Sequence, residues 1–399
     1  MFTVVLRAWV AWVLCLGVAW PALAADATSP GSIGAQREGV LFWPQAERDA
    51  QFRRMYLRFP SDLAAHGDPV RALPAGAPLA IDGRDGGVWL AGYMAKYHVA
   101  GVMVVHDGRV VAERYALGFK PDARWTSFSV AKSVTSVLLG VALARGDIHG
   151  MDDRLVRYIP ELRGSAYADV TVRQLLTMTS GVRWNEDYDD AGSDVARMYL
   201  GQCQRGEAHV LTYLKRLPRQ WPAGTHWNYN TAEIDLLGIL VQRATHQSLA
   251  AYLSRTIWKP YGMASDAYWI KDECDGSDTG GSGLSATLAD YARFGQFMLG
   301  GGRLDGRPAI AAAWLAGATR EHAAANAPAR GYGYLWWTDT DGSYAAIGIF
   351  GQMVYVDPAR QLVIAQVASW PAATSKELVE GRRAFVSAIK QAVDTADRR

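Results

Sequence analysis

The feature that most constrains the fold is the position of the β-rich segments, which lie near both ends of the chain. Residues 99–117 read as a hairpin with Asp107-Gly108 at its turn. Further short β-rich segments follow between residues 332 and 369, and residues 145–300 show mainly helical patterns. We therefore predict an α+β fold in which both ends of the chain contribute strands and a mostly helical region is inserted between them.

The first 24 residues have the pattern of a secretory signal. Arg7 precedes an apolar core at residues 8–20, and the small residues Ala22 and Ala24 follow. We expect cleavage after Ala24 and a periplasmic or secreted protein. The apolar core is shorter than the roughly 20 residues of a membrane span. No stable membrane insertion is therefore expected after cleavage, and an uncleaved anchor is the alternative.

The rest of the chain divides into a leader and a folded part. Residues 25–40 are small and polar, which predicts a flexible leader. Residues 41–399 are predicted to form one domain. Its α/β part occupies residues 41–125 and 280–399, and its helical insertion occupies residues 145–280. A cleft is expected where these two parts meet.

Composition narrows the possible partners. The formal net charge is +2 and no basic stripe appears, so a nucleic-acid partner is not expected. The eight histidines are scattered without HExxH or CxxC spacing, which predicts no metal site. Cys203 and Cys274 remain after signal cleavage. They form either one disulfide in an oxidising compartment or two buried thiols. The oligomeric state does not follow from the sequence.

The strongest chemical motif is Ser129-Val-Ala-Lys132, at the start of an apolar helix that ends at Gly146. Residues i and i+3 share a helix face, so the hydroxyl and the amine point into one space. A serine at this helix end also gains free backbone N–H groups and the positive end of the helix dipole. The motif therefore indicates a nucleophilic serine with a lysine partner.

This spacing alone is weak, since it arises by chance about once in a chain of this size. A second copy, Ser387-Ala-Ile-Lys390, lies in an amphipathic C-terminal pattern and is interpreted as a solvated helix face. For Ser129 the alternative is a helix N-cap with a surface lysine nearby.

A second candidate group is Tyr229, in the polar stretch that follows Pro222-Ala-Gly-Thr225. A phenol titrates near pH 10, and a neighbouring ammonium favours its anion. With Lys132 as that ammonium, Tyr229 is a candidate proton carrier between Ser129 and a leaving group. The alternative is a packed tyrosine that holds a loop.

A third signal is Gly348-Ile-Phe-Gly-Gln352, between two β-rich segments. Glycine there permits close approach of another backbone or of a ligand. The N–H of Ile349 is then expected to join the N–H of Ser129 in an oxyanion hole. The alternative is a β-bulge or a tight hairpin.

Taken in this order, the motifs resemble those of the serine β-lactamase-like hydrolases. That family includes class C β-lactamases, D-alanyl-D-alanine carboxypeptidases, esterases and 6-aminohexanoate-dimer hydrolases. The resemblance rests on Ser129-Val-Ala-Lys132, on Tyr229-Asn-Thr231, on residues 281–287 and 291–295, and on the strand around Gly348. Residues 175–181 and 332–337 are also typical, so the match covers residues 90–370.

The resemblance implies a β-lactamase/transpeptidase-like α+β fold, with a mainly antiparallel sheet flanked by helices. It implies Ser129 as nucleophile, Lys132 and Tyr229 as proton-transfer groups, and Gly348 and Ile349 beside the oxyanion. Thr231 would line the substrate site. No cofactor is implied.

Two departures from the family pattern narrow the substrate. Thr231 stands where β-lactamases and carboxypeptidases carry Asn, and Ala346-Ile347 precede Gly348 where those enzymes carry a basic residue and Thr. That basic residue is understood to bind a substrate carboxylate. Its absence places β-lactamase and carboxypeptidase activity in doubt and favours the esterase and 6-aminohexanoate-dimer hydrolase branch.

The stretch Trp184-Asn-Glu-Asp-Tyr188 resembles a loop of that branch, which implies that Tyr188 lines the cleft and contacts the scissile group. The alternative is a rim tyrosine without a role. The acids of this region are interpreted as a solvated loop: Glu186, Asp187, Asp189 and Asp190. Four tryptophans are candidates for aromatic walls of the cleft, and the alternative for each is the buried core position that is usual for tryptophan. They are Trp184, Trp227, Trp336 and Trp337.

The predicted function is hydrolysis of a small-molecule ester or linear amide through an acyl-enzyme on Ser129. A β-lactamase or carboxypeptidase of the penicillin-binding type is the first alternative. A non-catalytic acyl-accepting sensor or scaffold is the alternative of another class. An α/β-hydrolase is excluded because the chain has no Gly-x-Ser-x-Gly pentapeptide.

Overall fold

The computed structural model describes residues 39–82, 84–200, 206–322 and 331–398. The predicted signal peptide, nearly all of the predicted leader, and Cys203 lie outside these residues.

The main sheet has six antiparallel strands in the order β11-β12-β13-β14-β4-β5. Strand β14 pairs with β4, so the C-terminal strands join the early hairpin in one sheet, as predicted. The strands are β4 (Val99–His106), β5 (Arg109–Tyr115), β11 (Trp337–Thr338), β12 (Tyr344–Gly348), β13 (Gln352–Asp357) and β14 (Leu362–Ala368).

The early hairpin turns where the sequence predicts. His106 pairs with Arg109, which leaves a two-residue turn. Its residues Asp107 and Gly108 have φ values of 47° and 72°, the left-handed conformation that suits a twisted hairpin.

A second sheet has four antiparallel strands in the order β1-β7-β8-β6. They are β1 (Ser61–Ala64), β6 (Trp125–Thr126), β7 (Ala267–Ile270) and β8 (Leu284–Ala286). Two further strand pairs are short: β2 (Ala80–Ile81) with β3 (Arg84–Asp85), and β9 (Arg303–Leu304) with β10 (Arg307–Pro308).

The helices of the described residues fill the middle of the chain and cover the main sheet. Residues 39–42 are helical, and Leu155–Arg157 and Pro160–Leu162 form 3₁₀ turns. Ser254–Trp258 forms a π-helical turn. The α-helices are α1 (Gln45–Gln51), α2 (Met55–Arg58), α3 (Gly86–Lys96), α4 (Val130–Arg145), α5 (Val172–Leu176), α6 (Asp194–Arg197), α7 (His209–Leu214), α8 (Thr231–Thr245), α9 (Leu249–Leu253), α10 (Lys259–Tyr261), α11 (Leu288–Leu299), α12 (Ala312–Ala318) and α13 (Lys376–Ala396).

Both faces of the main sheet are covered by helices. On one face, Gly295 of α11 lies against Val363 of β14, so closely that an added Cβ would meet Val363 Cγ1 at 2.5 Å. On the other face, the Tyr93 hydroxyl of α3 donates to Gln366 Oε1 at 2.8 Å. Phe385 of α13 stacks on Tyr93 with ring centroids 4.2 Å apart. The α+β prediction, with an antiparallel sheet flanked by helices, is confirmed.

Helix α4 runs through the interior between α8 and the main sheet, and its residues from Val130 to Ala142 are buried. It ends at Gly146, whose φ of 79° provides the left-handed C-cap. A capping box formed by Thr171 and Gln174 begins α5. In the described part of the chain, no helix combines the length and apolar character needed to cross a membrane.

Candidate active site

Ser129 immediately precedes α4 and lies beside the lysine one turn later. Lys132 Nζ donates to Ser129 Oγ at 2.8 Å and to the Gly281 carbonyl oxygen at 2.8 Å. Lys132 is only 1% exposed. The Ser129 hydroxyl makes no capping hydrogen bond. The alternative of an N-cap serine with a surface lysine is therefore wrong.

Burial changes the protonation of Lys132. Removal of its ammonium from water lowers the pKa of Lys132 to about 8, although the nearby charges of Glu186 and Asp235 act in the opposite direction. Near neutral pH, the free amine, which is a base, is therefore a larger fraction of Lys132 than of a lysine in water.

Tyr229 completes the group that the sequence predicts. Lys132 Nζ lies 5.2 Å from the Tyr229 ring centroid. Burial raises the pKa of Tyr229 above 10, the charge of Glu186 adds to this, and a hydrogen bond with Ser129 opposes it. Desolvation of the buried phenol thus favours the protonated form of Tyr229, whereas the sequence analysis considered its anion.

Gly348 lets the end of β12 approach the start of α4. A Cβ at this position would lie 2.6 Å from the Ser127 carbonyl oxygen and 3.1 Å from the Ser129 nitrogen. Only glycine fits this contact without displacement. A 3₁₀ turn, Ile349–Gly351, connects β12 to β13. Gly348 therefore also begins a tight hairpin, which is the alternative that the sequence analysis gave for this glycine.

Two phenylalanines in left-handed conformation flank this contact. Phe128 precedes Ser129 with φ 42°, and Phe350 follows Ile349 with φ 58°. Such backbone is costly for a residue with a side chain and persists where packing holds it. Here both rings pack on each other and on Phe52, with ring centroids 4.9–5.3 Å apart.

Glu186 is not the solvated loop residue that the sequence suggested. Its carboxylate is half-buried and accepts hydrogen bonds from the Thr231 N–H at 3.0 Å, the Thr231 hydroxyl, the Tyr188 hydroxyl at 2.8 Å and the Trp184 indole. Asp187 and its neighbours Asp189 and Asp190 are exposed, as expected. The local sequence does not distinguish Glu186 from these three acids, because the groups that donate hydrogen bonds to its carboxylate lie on α8 and on the two flanking aromatic residues.

The structure brings Tyr188 and Thr231 to the same place as Ser129. Thr231 is the first residue of α8, with Asn230 as its N-cap. The Tyr188 ring lines the cavities beside Ser129. The Glu186 carboxylate thus accepts hydrogen bonds from two of the predicted substrate-lining residues, Thr231 and Tyr188.

One further group, Asp235, supports Lys132 without being singled out by the sequence. Asp235 on α8 is buried, and its Oδ1 accepts from the Gly281 N–H at 2.7 Å. This bond orients the peptide next to the carbonyl that binds Lys132. The signal for Asp235 is an acid inside an otherwise apolar helix, Ile234-Asp-Leu-Leu.

The four candidate tryptophans separate into cleft and core residues. Trp337 stacks on Tyr229 with ring centroids 6.0 Å apart, and Trp227 packs on Tyr229 at 6.2 Å. Trp336 is fully buried and Trp184 is 6% exposed. Trp337 therefore provides the aromatic wall of the cleft, and Trp227 backs it.

Two cavities meet at Ser129, and Ser129, Tyr188 and Ile349 line both. The first, here called the apolar cavity, has a volume of 110 Å³. None of the described residues that line it is charged, and its apolar walls include Val40, Met55, Phe59, Val195 and Met198. The second, here called the arginine-lined cavity, has a volume of 400 Å³, and its further lining includes Glu186, Tyr229, Trp337, Ile347, Arg382 and Arg383.

Among the residues that the structure describes, two groups elsewhere combine side chains of metal-binding type. One is His209, Asp272 and Cys274, which are buried. Cys274 is disulfide-bonded, so it offers no thiolate, and Cys203 lies outside the described residues. The other group is His106, Asp107 and Asp397, with both acids exposed. Neither group borders the two cavities at Ser129, and the spacing rules applied to the sequence could not detect either.

Known proteins share this sequence pattern. The family model described as Beta-lactamase matches residues 89–387. A 6-aminohexanoate-dimer hydrolase from Paenarthrobacter ureafaciens is 32% identical over 284 residues, which cover 67% of this chain and 72% of that protein. Esterase EstB from Burkholderia gladioli is 31% identical over 153 residues, which cover 36% and 38% of the two chains.

A solved structure shares the fold. The structure named as a putative 6-aminohexanoate-dimer hydrolase from Bacillus anthracis superposes with a TM-score of 0.76. The superposition covers 88% of this chain and 94% of that one at 22% sequence identity.

Proposed function

Because the chain belongs to the β-lactamase family of serine hydrolases, we propose that it cleaves carboxylic esters or linear amides through an acyl-enzyme on Ser129. The observation that carries this proposal is the 2.8 Å contact between Lys132 Nζ and Ser129 Oγ, formed by a buried lysine. A surface lysine would remain cationic at neutral pH, whereas a buried one is available as a base.

In the proposed acylation step, neutral Lys132 accepts the Ser129 proton while Oγ forms a bond to the substrate carbonyl carbon. The bond to the leaving group then breaks, and Tyr229 donates its phenolic proton to the departing oxygen or nitrogen. The proton held by Lys132 returns to Tyr229, so both groups regain their starting states. The raised pKa of Tyr229 suits this donor role, since the phenol stays protonated until the leaving group needs it.

Backbone N–H groups would stabilise the charge that develops on the carbonyl oxygen. The close approach at Gly348 supports Ser129 and Ile349 as these donors, because it brings the end of β12 against the start of α4. Deacylation follows the same path in reverse, with a water in place of the leaving group.

The relatives' names describe a dimer hydrolase and an esterase, which supports a small ester or amide as the substrate class. Ala346 and Ile347 support the same class over a β-lactam or a peptide terminus, because this strand carries no charge to bind a carboxylate. The sequence pattern of residues 1–24 supports export to the periplasm or the medium.

The test uses hydrolysis of a nitrophenyl ester and covalent labelling by a fluorophosphonate. Ser129→Ala should abolish labelling and lower kcat/KM by about 10³-fold or more. Ser387→Ala is the matched control, because it removes the serine of the second Ser-x-x-Lys copy, on an exposed helix face. It should change neither readout.

Turnover that survives Ser129→Ala would contradict the mechanism. Labelling of Ser129 without turnover of any ester or amide would favour the sensor alternative. Rapid hydrolysis of a cephalosporin, faster than of the ester, would favour the β-lactamase alternative.

A further inference from the structure

The two cavities at Ser129 differ in their access to the proton donor. Tyr229 lines the arginine-lined cavity but not the apolar cavity. Under the proposed function, on which this inference rests, Tyr229 protonates the leaving group, so the leaving half of the substrate lies beside it. The acyl half, on the other side of the scissile bond, therefore extends into the apolar cavity.

Two segments of the chain supply most of the apolar lining of this cavity. One is residues 195–199, and the other is residues 40–59, here called the N-terminal segment. The N-terminal segment contributes Val40, Leu41, Met55 and Phe59. The match to the family model begins at residue 89, so these four residues precede it. The cavity for the acyl half is thus partly formed by a segment that the family model does not cover.

The N-terminal segment is held against the C-terminal part of the chain. Gln45 Nε2 donates to the Ser369 carbonyl oxygen at 2.6 Å. Arg48 Nη2 donates to the Pro371 carbonyl oxygen at 2.9 Å. Between these bonds and the cavity, Phe52 is fully buried in the aromatic cluster beside the start of α4. The segment is therefore a fixed wall of the cavity, since it is bonded and packed on both sides.

Three hydroxyl groups around the apolar cavity already donate to the protein. The Tyr199 hydroxyl donates to Asp235 Oδ2 at 2.6 Å. The Tyr188 and Thr231 hydroxyls both donate to the Glu186 carboxylate. A polar or charged acyl group would lose its hydration in this cavity, and these hydroxyl protons are not available to replace it. The cavity therefore favours an apolar acyl chain.

The volume of the cavity limits the length of that chain. It is 110 Å³. An apolar cavity of about 150 Å³ accommodates benzene, which has six carbons, so an acyl chain of about four carbons is the longest that fits here. Of the side chains that bound this space, Met55 is 4% exposed and Leu41 is half-buried.

We propose that the N-terminal segment sets the length of the acyl group that the enzyme accepts, with Leu41 and Met55 as specificity-determining residues. Acetyl to butanoyl groups occupy the apolar cavity, and longer chains meet these side chains. The length limit is thus specified by residues that precede the family-matched part of the chain.

The test compares the nitrophenyl esters of acetate, butanoate, hexanoate and octanoate by kcat/KM. All of them release the same nitrophenol, so the leaving half of the substrate is constant. Each value is divided by the rate constant for hydroxide-catalysed hydrolysis of the same ester, which removes differences in intrinsic reactivity. For the wild type, the corrected kcat/KM should rise about fourfold for each methylene from acetate to butanoate and fall at hexanoate and octanoate.

Met55→Ala and Leu41→Ala should each raise the ratio of hexanoate to butanoate by about four- to fifteenfold, as expected when one or two further methylenes become buried. Met94→Ala and Leu57→Ala are the matched controls, because they make the same changes at residues that line neither cavity. They should leave the ratio unchanged. A ratio measured on one sample is not altered by partial loss of folded enzyme. If Met55→Ala does not fold, Leu41→Ala decides the outcome, since its side chain is only half-buried.

An unchanged ratio in the folded variants would overturn the proposal, as would a wild-type kcat/KM that keeps rising through octanoate. The proposed function has a separate readout in the same experiment. If no ester of the series is hydrolysed in a Ser129-dependent manner, the proposed function fails. If Ser129-dependent hydrolysis shows no dependence on acyl length, only this inference fails.

Discussion

Lys132 and Tyr229 share one buried space, and burial moves their pKa values in opposite directions. It disfavours the ammonium of Lys132 and the phenolate of Tyr229, so both groups tend toward their neutral forms. A neutral amine is a base and a neutral phenol is a proton donor. These directions of the two pKa shifts support the roles proposed above.

The activity should accordingly rise with pH. Because Lys132 acts as a base only when deprotonated, kcat/KM for a neutral ester should increase as pH rises through about 8 and then level off. The measurement is a pH profile of kcat/KM, corrected for spontaneous hydrolysis. Lys132→Arg, which stays cationic, should be inactive across the same range. An activity that falls between pH 6 and pH 9 would contradict Lys132 as the base.

Glu186 should influence this profile. Its negative charge raises the pKa of Lys132, so Glu186→Gln should move the rising limb to lower pH. The amide oxygen of glutamine can still accept from Thr231 and Tyr188, which limits structural change. Asp187→Asn is the matched control, since its carboxylate is exposed on the same loop. A shift of the limb to higher pH in Glu186→Gln would be inconsistent with this electrostatic role.

At the scale of elements, the site depends on how closely β12 meets the start of α4. The contact combines a glycine at the end of one element with two strained phenylalanines beside it. Phe128 and Phe350 pack on Phe52, the residue that directly follows α1. This aromatic cluster holds the backbone next to both proposed oxyanion donors. Packing of elements distant in sequence thus fixes the position of two peptide groups.

Gly348→Ala should separate these two elements. The new Cβ would overlap the Ser127 carbonyl oxygen, and the resulting shift should lower kcat/KM by about 10²-fold or more, as for loss of an oxyanion donor. Kinetics and thermal melting measure the two effects separately. Gly92→Ala on helix α3 meets nothing within 4 Å and should keep full activity. Full activity of Gly348→Ala would show that the close approach is not needed for catalysis.

At the scale of the whole molecule, strands from both ends of the chain form one sheet, and helix α13 covers it. This helix buries Phe385, Ile389 and Val393, and Phe385 stacks on Tyr93 of α3. The same helix carries Arg383 into the cleft. Its packing therefore connects the stability of the sheet to the shape of the proposed substrate site.

Phe385→Ala should destabilise the protein by about 3–4 kcal/mol, because it removes a buried, stacked ring from the core. Chemical unfolding followed by far-UV and near-UV circular dichroism should show one coincident transition, which also tests the prediction of a single domain. Leu57→Ala, at a leucine that is 71% exposed, is the control and should change stability little. Two separate transitions would instead indicate that the helical insertion folds on its own.

Much of the fold could be predicted because its signals are local. The hairpin turn at Asp107-Gly108 and the helix end at Gly146 each depend on residues within a few positions of one another. The spacing of Ser129 and Lys132 is equally local, since one helical turn brings the two side chains together.

The sequence by itself therefore determined the serine–lysine pair and the strand and helix pattern around it, because backbone geometry over a few residues is sufficient for both. Only the tertiary structure decided the rest. The bonds of Glu186 to Thr231 and of Lys132 to Gly281, and the placement of Arg383 in the cleft, join segments separated by tens to hundreds of residues. Burial, which sets the pKa of Lys132, likewise depends on packing from every side, and a linear pattern does not specify it.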